Sequence, residues 1–236
     1  MSSPLHIPDD VFPTEILDLL VVLEKADILK HHLLIGSYAF WVFKAIYDFD
    51  YFLITRDIDI LLSKKDHSKI DINAFMLKNG FRIIPSQYGF IKYLKNNYEI
   101  EFLVERKGNK EEPVLFSSLN ITAQPLPFLN ILKERILEIS LGENFLLFYV
   151  PAPEAFYIHK LLVSKRRKGA HKSKSAKDLE QASMLRKYIE DGQLKELLSK
   201  VSLSKKTLNS IFLAEEELFE YYPSKLIGIK RLKEII

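Results

Sequence analysis

Residues 33–62 open on Leu33-Leu34-Ile35-Gly36-Ser37-Tyr38-Ala39-Phe40-Trp41 and close on Thr55-Arg56-Asp57-Ile58-Asp59-Ile60-Leu61-Leu62. The three apolar residues before Gly36 predict a short buried strand. The run after it, apolar on nearly every side, predicts a buried helix from Ser37 to about Tyr47. In the closing segment Ile58, Ile60 and Leu62 alternate with Asp57, Asp59 and Leu61, a period of two that puts both aspartates on one face of a strand. A Gly-Ser pair at a helix start offers unpaired N–H groups and a hydroxyl to a phosphate. An Asp-x-Asp pair offers hard oxygens to a divalent metal.

Working outward, an N-terminal helix is expected over residues 13–30, with Ile16, Leu17, Leu20, Val21 and Leu23 as its apolar stripe. A helix over 66–79 ends at Gly80. Strand-like runs follow at 81–85, 90–94 and 98–104, parted by Ser86-Gln87-Tyr88-Gly89 and Lys95-Asn96-Asn97, which predicts an antiparallel meander. Short apolar runs at 131–139 and 145–150 read as further strands. Pro151-Ala152-Pro153 then stops regular structure, dividing the chain into a mixed domain at 1–150 and a helical domain at 151–236. In the second, helices are expected at 154–164, 177–188, 194–201 and 205–222, with a basic loop at 166–175. The fold class is therefore α+β: a mixed β-sheet flanked by helices, followed by a small helical domain.

Composition narrows the function. The 236 residues contain no cysteine, which excludes disulfides and thiolate metal sites. The N-terminus lacks the basic and apolar regions of a secretory signal, and no apolar run reaches membrane-spanning length, so a cytoplasmic protein with no membrane partner is expected. The net charge of +3 is local in origin. Eight Lys or Arg residues and no Asp or Glu lie between Lys160 and Lys177, and without them 26 basic residues face 31 acidic ones. That segment is suited to an anion.

A metal-assisted phosphate site needs a further carboxylate beside Asp57 and Asp59. Tyr98-Glu99-Ile100-Glu101-Phe102-Leu103 supplies it: Glu99 and Glu101 share one strand face, either can reach the aspartates, and Glu101 lies deeper in the strand. Glu101 would ligate metal and accept the proton of an attacking hydroxyl. Lys160 sits on an otherwise apolar helix face, where a charge requires a partner. His31-His32 reads as surface, because adjacent histidines point to different sides.

The order Ile35-Gly36-Ser37, helix, Asp57-Ile58-Asp59 and then a carboxylate on a later strand resembles the nucleotidyltransferases of the DNA polymerase beta superfamily. It is most similar to a bacterial branch in which a Pro-rich break (Pro151, Pro153) precedes a helix with His159-Lys160-Leu161, a basic loop at Arg166, and Lys177-Asp178-Leu179-Glu180-Gln181-Ala182. The resemblance implies a cytoplasmic, nucleotide-binding (ATP-binding) transferase with Mg²⁺ as cofactor. Asp57, Asp59 and Glu101 would be the catalytic, metal-binding triad. Gly36 and Ser37 would contact the phosphates, and Lys160 and Lys177 would reach the triphosphate or acceptor from a helical domain that closes over the nucleotide. The implied reaction moves NMP from an NTP to a hydroxyl of RNA, protein or a small molecule and releases pyrophosphate. Two other readings fit the same residues: a catalytically silent fold acting as a binding or regulatory module, for example in a toxin-antitoxin pair, and an RNA-binding module using residues 165–177.

Overall fold

A computed structural model describes residues 3–52, 55–63, 70–86, 88–108, 110–142, 146–167 and 172–236. The chain divides into two compact units, Met1–Leu129 with Leu137–Val150, and Asn130–Ile136 with Pro151–Ile236. The division expected at Pro151 would keep residues 130–136 with the sheet; by their contacts they go with the helices.

The first unit is built on one mixed sheet. Its elements in chain order are β1 (Leu5–Ile7), α1 (Thr14–Lys25), α2 (Ile28–His31), β2 (Leu33–Ile35), α3 (Gly36–Tyr47), β3 (Asp57–Leu61), α4 (Ile72–Lys78), β4 (Arg82–Pro85), β5 (Ile91–Lys95), β6 (Tyr98–Glu105), β7 (Val114–Phe116), β8 (Ile121–Leu126), β9 (Ile136–Leu141) and β10 (Leu146–Pro151). The strand order is β1-β9-β10-β2-β3-β6-β5-β4, with β8 pairing β6 and β7. β6 is long enough to serve two neighbours on one side: its first half pairs antiparallel with β5 and its second half parallel with β8.

Burial explains most of the elements. In α1 the residues at 16, 19, 20 and 23 are buried, a spacing that puts one helical stripe on the core while Val21 stays exposed. The helix expected over 13–30 is interrupted at Asp27, whose backbone is left-handed (φ +54°), a conformation Asp tolerates better than most residues. α3 buries Tyr38, Ala39, Phe40, Val42 and Phe43, and Trp41 stacks on Phe12 with ring centroids 5.9 Å apart. The β4–β5–β6 meander is antiparallel throughout, and Asn96 and Asn97, both at positive φ, form the two-residue turn that matches strand twist. Part of the helix expected over 66–79 lies outside the described residues. Its remainder is α4, capped by Asp71, whose Oδ1 accepts the Ala74 N–H at 2.8 Å. His32 is buried rather than superficial, and its Nδ1 accepts the Ser63 N–H at 3.2 Å.

The second unit is helical: α5 (Ile131–Glu134), α6 (Pro153–Ser164), α7 (Lys172–Arg186), α8 (Asp191–Lys200), α9 (Lys205–Tyr221) and α10 (Leu232–Ile235). The run at 131–139, expected as a strand, is instead the one-turn α5 followed by β9. α7 begins at Lys172, inside the stretch expected to be loop. α8 opens on a reciprocal capping box between Glu190 and Gln193, and α9 on Ser204, which accepts the Thr207 N–H. The buried polar groups here are largely paired. Tyr157 donates to Glu215 at 2.8 Å, the same carboxylate accepts the Leu232 N–H at 2.7 Å, and Arg186 donates to the carbonyls of Ile189 and Lys230. Among the described residues no helix is long and apolar enough to cross a membrane.

Candidate active site

Two neighbouring strands create the acidic face. β3 and β6 run parallel with Asp57 opposite Glu99 and Asp59 opposite Glu101. The alternate residues Ile58, Ile60, Ile100 and Phe102 are at most 1% exposed, so burial of the isoleucine face fixes the register and forces all four carboxylates to the opposite side. Carboxylate oxygens of Asp57, Glu99 and Glu101 come within 4.8 Å of one another. The set is all hard oxygen, the chemistry that suits Mg²⁺ or Mn²⁺ rather than a soft metal, and these residues fit such an ion.

Asp59 lies at the helix start. Its neighbour on the other side is β2, antiparallel, with Ile35 opposite Asp59, so the chain leaves the sheet and enters α3 beside this carboxylate. Gly36 has φ +67°, and a Cβ there would fall 2.1 Å from Asp59 Oδ2. The backbone conformation calls for glycine, and a side chain there would push the Asp59 carboxylate aside. Ser37 follows in the first turn of this twelve-residue helix, the end at which the helix dipole favours an anion.

Two residues that the sequence did not single out complete the surroundings. Lys92 on β5 lies directly across from Glu101; its ammonium donates to Glu99 Oε2 at 2.9 Å and makes a still closer ion pair with Glu101 Oε1. Burial alone would lower its pKa, but hydrogen bonds to Glu101 and Glu99 outweigh that and hold it above the usual lysine value. The signal was present in the sequence: a two-residue Asn96-Asn97 turn pairs 95 with 98 and therefore 92 with 101. Tyr38, from the first turn of α3, donates to the Thr55 carbonyl at 3.2 Å. Burial, with smaller contributions from Tyr98, Asp57 and Asp59, pushes its hydroxyl far above the normal range, so it stays protonated beside the acidic face.

Gly36, Ser37, Asp57, Asp59 and Glu101 all belong to the first unit. Lys160 and Lys177 belong to the second. Lys160 is 9% exposed, and its charge has the partner its position required: Asp178 Oδ1 at 2.7 Å, with the ammonium also 5.1 Å from the Phe156 ring centroid. Arg167 holds the other oxygen of Asp178 at 3.1 Å. Lys177 is half-buried in α7. Of the remaining basic segment, Lys165 pairs with Glu217, and residues 168–171 lie outside the described residues.

The fold is α+β: a mixed sheet presents carboxylates from two adjacent strands beside a Gly-Ser helix start. A sequence model described as Nucleotidyltransferase matches residues 14–205, and the chain belongs to that family. No curated protein gives a significant match. Among solved structures, an antigenic nucleotidyltransferase-like protein from Paracoccidioides brasiliensis aligns over 99% of both chains at 15% identity, with a TM-score of 0.48. The antibiotic-resistance factor ANT(2'')-Ia aligns over 90% of this chain and 98% of its own at 11% identity, with a TM-score of 0.42.

Proposed function

We propose that this chain transfers NMP from an NTP to a hydroxyl acceptor, with Mg²⁺ as cofactor and pyrophosphate as leaving group. The observation that carries this reading is the convergence of Asp57, Glu99 and Glu101 within 4.8 Å on the face where Asp59 touches the Gly36 end of α3.

Asp57 and Glu101 would hold the ion, with Glu99 rather than the expected Asp59 as the third converging carboxylate, and Asp59 lines the same face. Bound there, the ion neutralises charge on the phosphates and makes the acceptor hydroxyl more acidic. The chain's own groups do the rest. The N–H groups at Gly36 and Ser37 and the Ser37 hydroxyl orient the β- and γ-phosphates against the positive end of α3. Glu101 accepts the proton that the acceptor hydroxyl loses as its oxygen bonds to the α-phosphorus, and the bond from that phosphorus to pyrophosphate breaks. The acceptor is a hydroxyl of RNA, protein or a small molecule.

The test is incubation of the full chain with each α-labelled NTP, Mg²⁺ and total cell extract, followed by separation of the labelled products. Wild-type protein should label one class of acceptor, and the D57A/D59A double variant, with an unchanged circular dichroism spectrum, should label none. Equal labelling by the double variant would remove these carboxylates from the reaction. Absence of labelling by wild type with every NTP would favour the silent binding module instead.

A further inference from the structure

Lys92 has no part in the reaction just described, yet it contacts two of the acidic groups at its centre. Four carboxylates, Asp57, Asp59, Glu99 and Glu101, occupy one face of two neighbouring strands, in directly opposed pairs. Like charges set opposite one another across a sheet repel, and the repulsion is greatest when no counter-ion is bound. The protein places a cation of its own there. β5 is the next strand, Lys92 is the register partner of Glu101, and its ammonium bridges Glu101 and Glu99.

We propose that Lys92 is an internal cation that holds Glu99 and Glu101 in the metal-free protein and is displaced from them when a divalent ion binds, so that metal entry is an exchange of one cation for another. The inference rests on the carboxylate reading given above.

Three features support an exchange rather than a fixed ion pair. The lysine side chain is 25% exposed, so it is not sealed against the two carboxylates. Its stem is a flexible four-carbon chain carrying a compact point charge, unlike the rigid fork of an arginine. A divalent ion also brings twice the charge and can take oxygens from Asp57, Glu99 and Glu101 together, whereas among the described carboxylates Lys92 pairs with the two glutamates.

The experiment measures Mn²⁺ binding to the full-length protein without nucleotide, by the electron paramagnetic resonance signal of free Mn²⁺. Wild type, K92M, K92R and the D57N/E101Q pair are compared, with K92Q replacing K92M if the latter does not fold. Removing the competing charge should tighten Mn²⁺ binding by about tenfold in K92M, whereas K92R, which keeps the charge on a stiffer fork, should bind Mn²⁺ no more tightly than wild type. A second readout follows displacement itself. Amine-reactive labelling of Lys92, quantified by peptide mass spectrometry, should rise several-fold on adding Mn²⁺ to wild type and stay unchanged in D57N/E101Q. Equal or weaker Mn²⁺ binding by K92M, or Lys92 labelling indifferent to Mn²⁺, would overturn the exchange while leaving the metal site standing. Failure of wild type to bind Mn²⁺, or binding that D57N/E101Q does not weaken, would overturn the metal site and the exchange with it.

Discussion

Gly36 and Asp59 touch: a side chain one carbon long on Gly36 would sit 2.1 Å from Asp59 Oδ2, well inside van der Waals contact. The start of α3 and the second aspartate of β3 are thereby in direct contact, and the N-terminal end of the helix lies beside the acidic face. Gly36→Ala combines that overlap with a left-handed backbone, which alone costs a non-glycine residue about 1–2 kcal/mol. The variant should lose at least that much in urea unfolding. Nucleotidyl transfer should fall by about a hundredfold, the cost of displacing a positioned group by roughly an ångström. Wild-type activity in Gly36→Ala would mean that Asp59 is free to move without consequence.

The two glutamates of β6 are not equivalent. Glu101 is opposite Asp59 on one side and Lys92 on the other and is 14% exposed, whereas Glu99 is opposite Asp57 and is 33% exposed. A carboxylate in the less hydrated position interacts more strongly with any cation it holds. Glu101→Gln should therefore reduce transfer by about a hundredfold or more and Glu99→Gln by about tenfold or less, estimates for loss of a metal-ligating or proton-accepting group. Initial rates at saturating NTP separate the two, and a larger loss in Glu99→Gln would reverse the assignment of the proton acceptor.

Much of this site was legible in the sequence because it is local. The alternation through Asp57-Ile58-Asp59-Ile60 and through Glu99-Ile100-Glu101-Phe102 reports which side chains are buried, and the sheet obeys it. What was hidden depends on distant partners. β1 is three residues long, and its partner β9 lies across the whole first unit in sequence, with Leu5 opposite Ile139, so no periodicity marks it. α5 is a single turn inside an apolar run that reads equally well as strand. The first turn of α7, Lys172-Ser173-Lys174-Ser175, has the composition of a solvated loop and becomes helical together with the buried residues from Asp178 onward. Depth in the strand favours Glu101 over Glu99 in the sequence, and the structure brings both into the same acidic group, because both lie on the face opposite the buried Ile100 and Phe102.

The buried pair between Lys160 and Asp178 makes an asymmetric prediction. Asp178 is bound by both Lys160 and Arg167, while among the described residues Lys160 has its countercharge in Asp178. Removing one member of a buried pair strands the other, at a cost of about 3–5 kcal/mol. Asp178→Ala should approach that range. Lys160→Met should cost less, because Arg167 still faces the carboxylate and the methionine keeps the packing against Phe156. Urea unfolding of both single variants and the double variant closes a thermodynamic cycle, and equal losses in the singles would show that Arg167 gives Asp178 no support.

His159, beside Lys160 on α6, should make the protein acid-labile. Its Nε2 is sealed from solvent without a hydrogen-bond partner, and burial, reinforced by the positive charge of Lys160, lowers its pKa from 6.5 to about 3. In the unfolded chain the ring takes up a proton near pH 6.5; in the folded chain it does so only near 3. Between those values the unfolded state binds the additional proton, so its contribution to stability is complete above about pH 6.5 and drains away as the pH falls toward 3. The slope for one such group is at most about 1.4 kcal/mol per pH unit. His159→Leu removes the titration while keeping an apolar side chain in place. Carboxylates titrate in both proteins, so the difference between wild type and variant isolates the imidazole. Urea midpoints at pH 7.5, 6 and 5 should converge as the pH falls if the leucine protein starts out less stable, or separate in favour of the leucine protein if the two start out equal. Parallel curves would show that the folded protein protonates His159 as readily as the unfolded chain does.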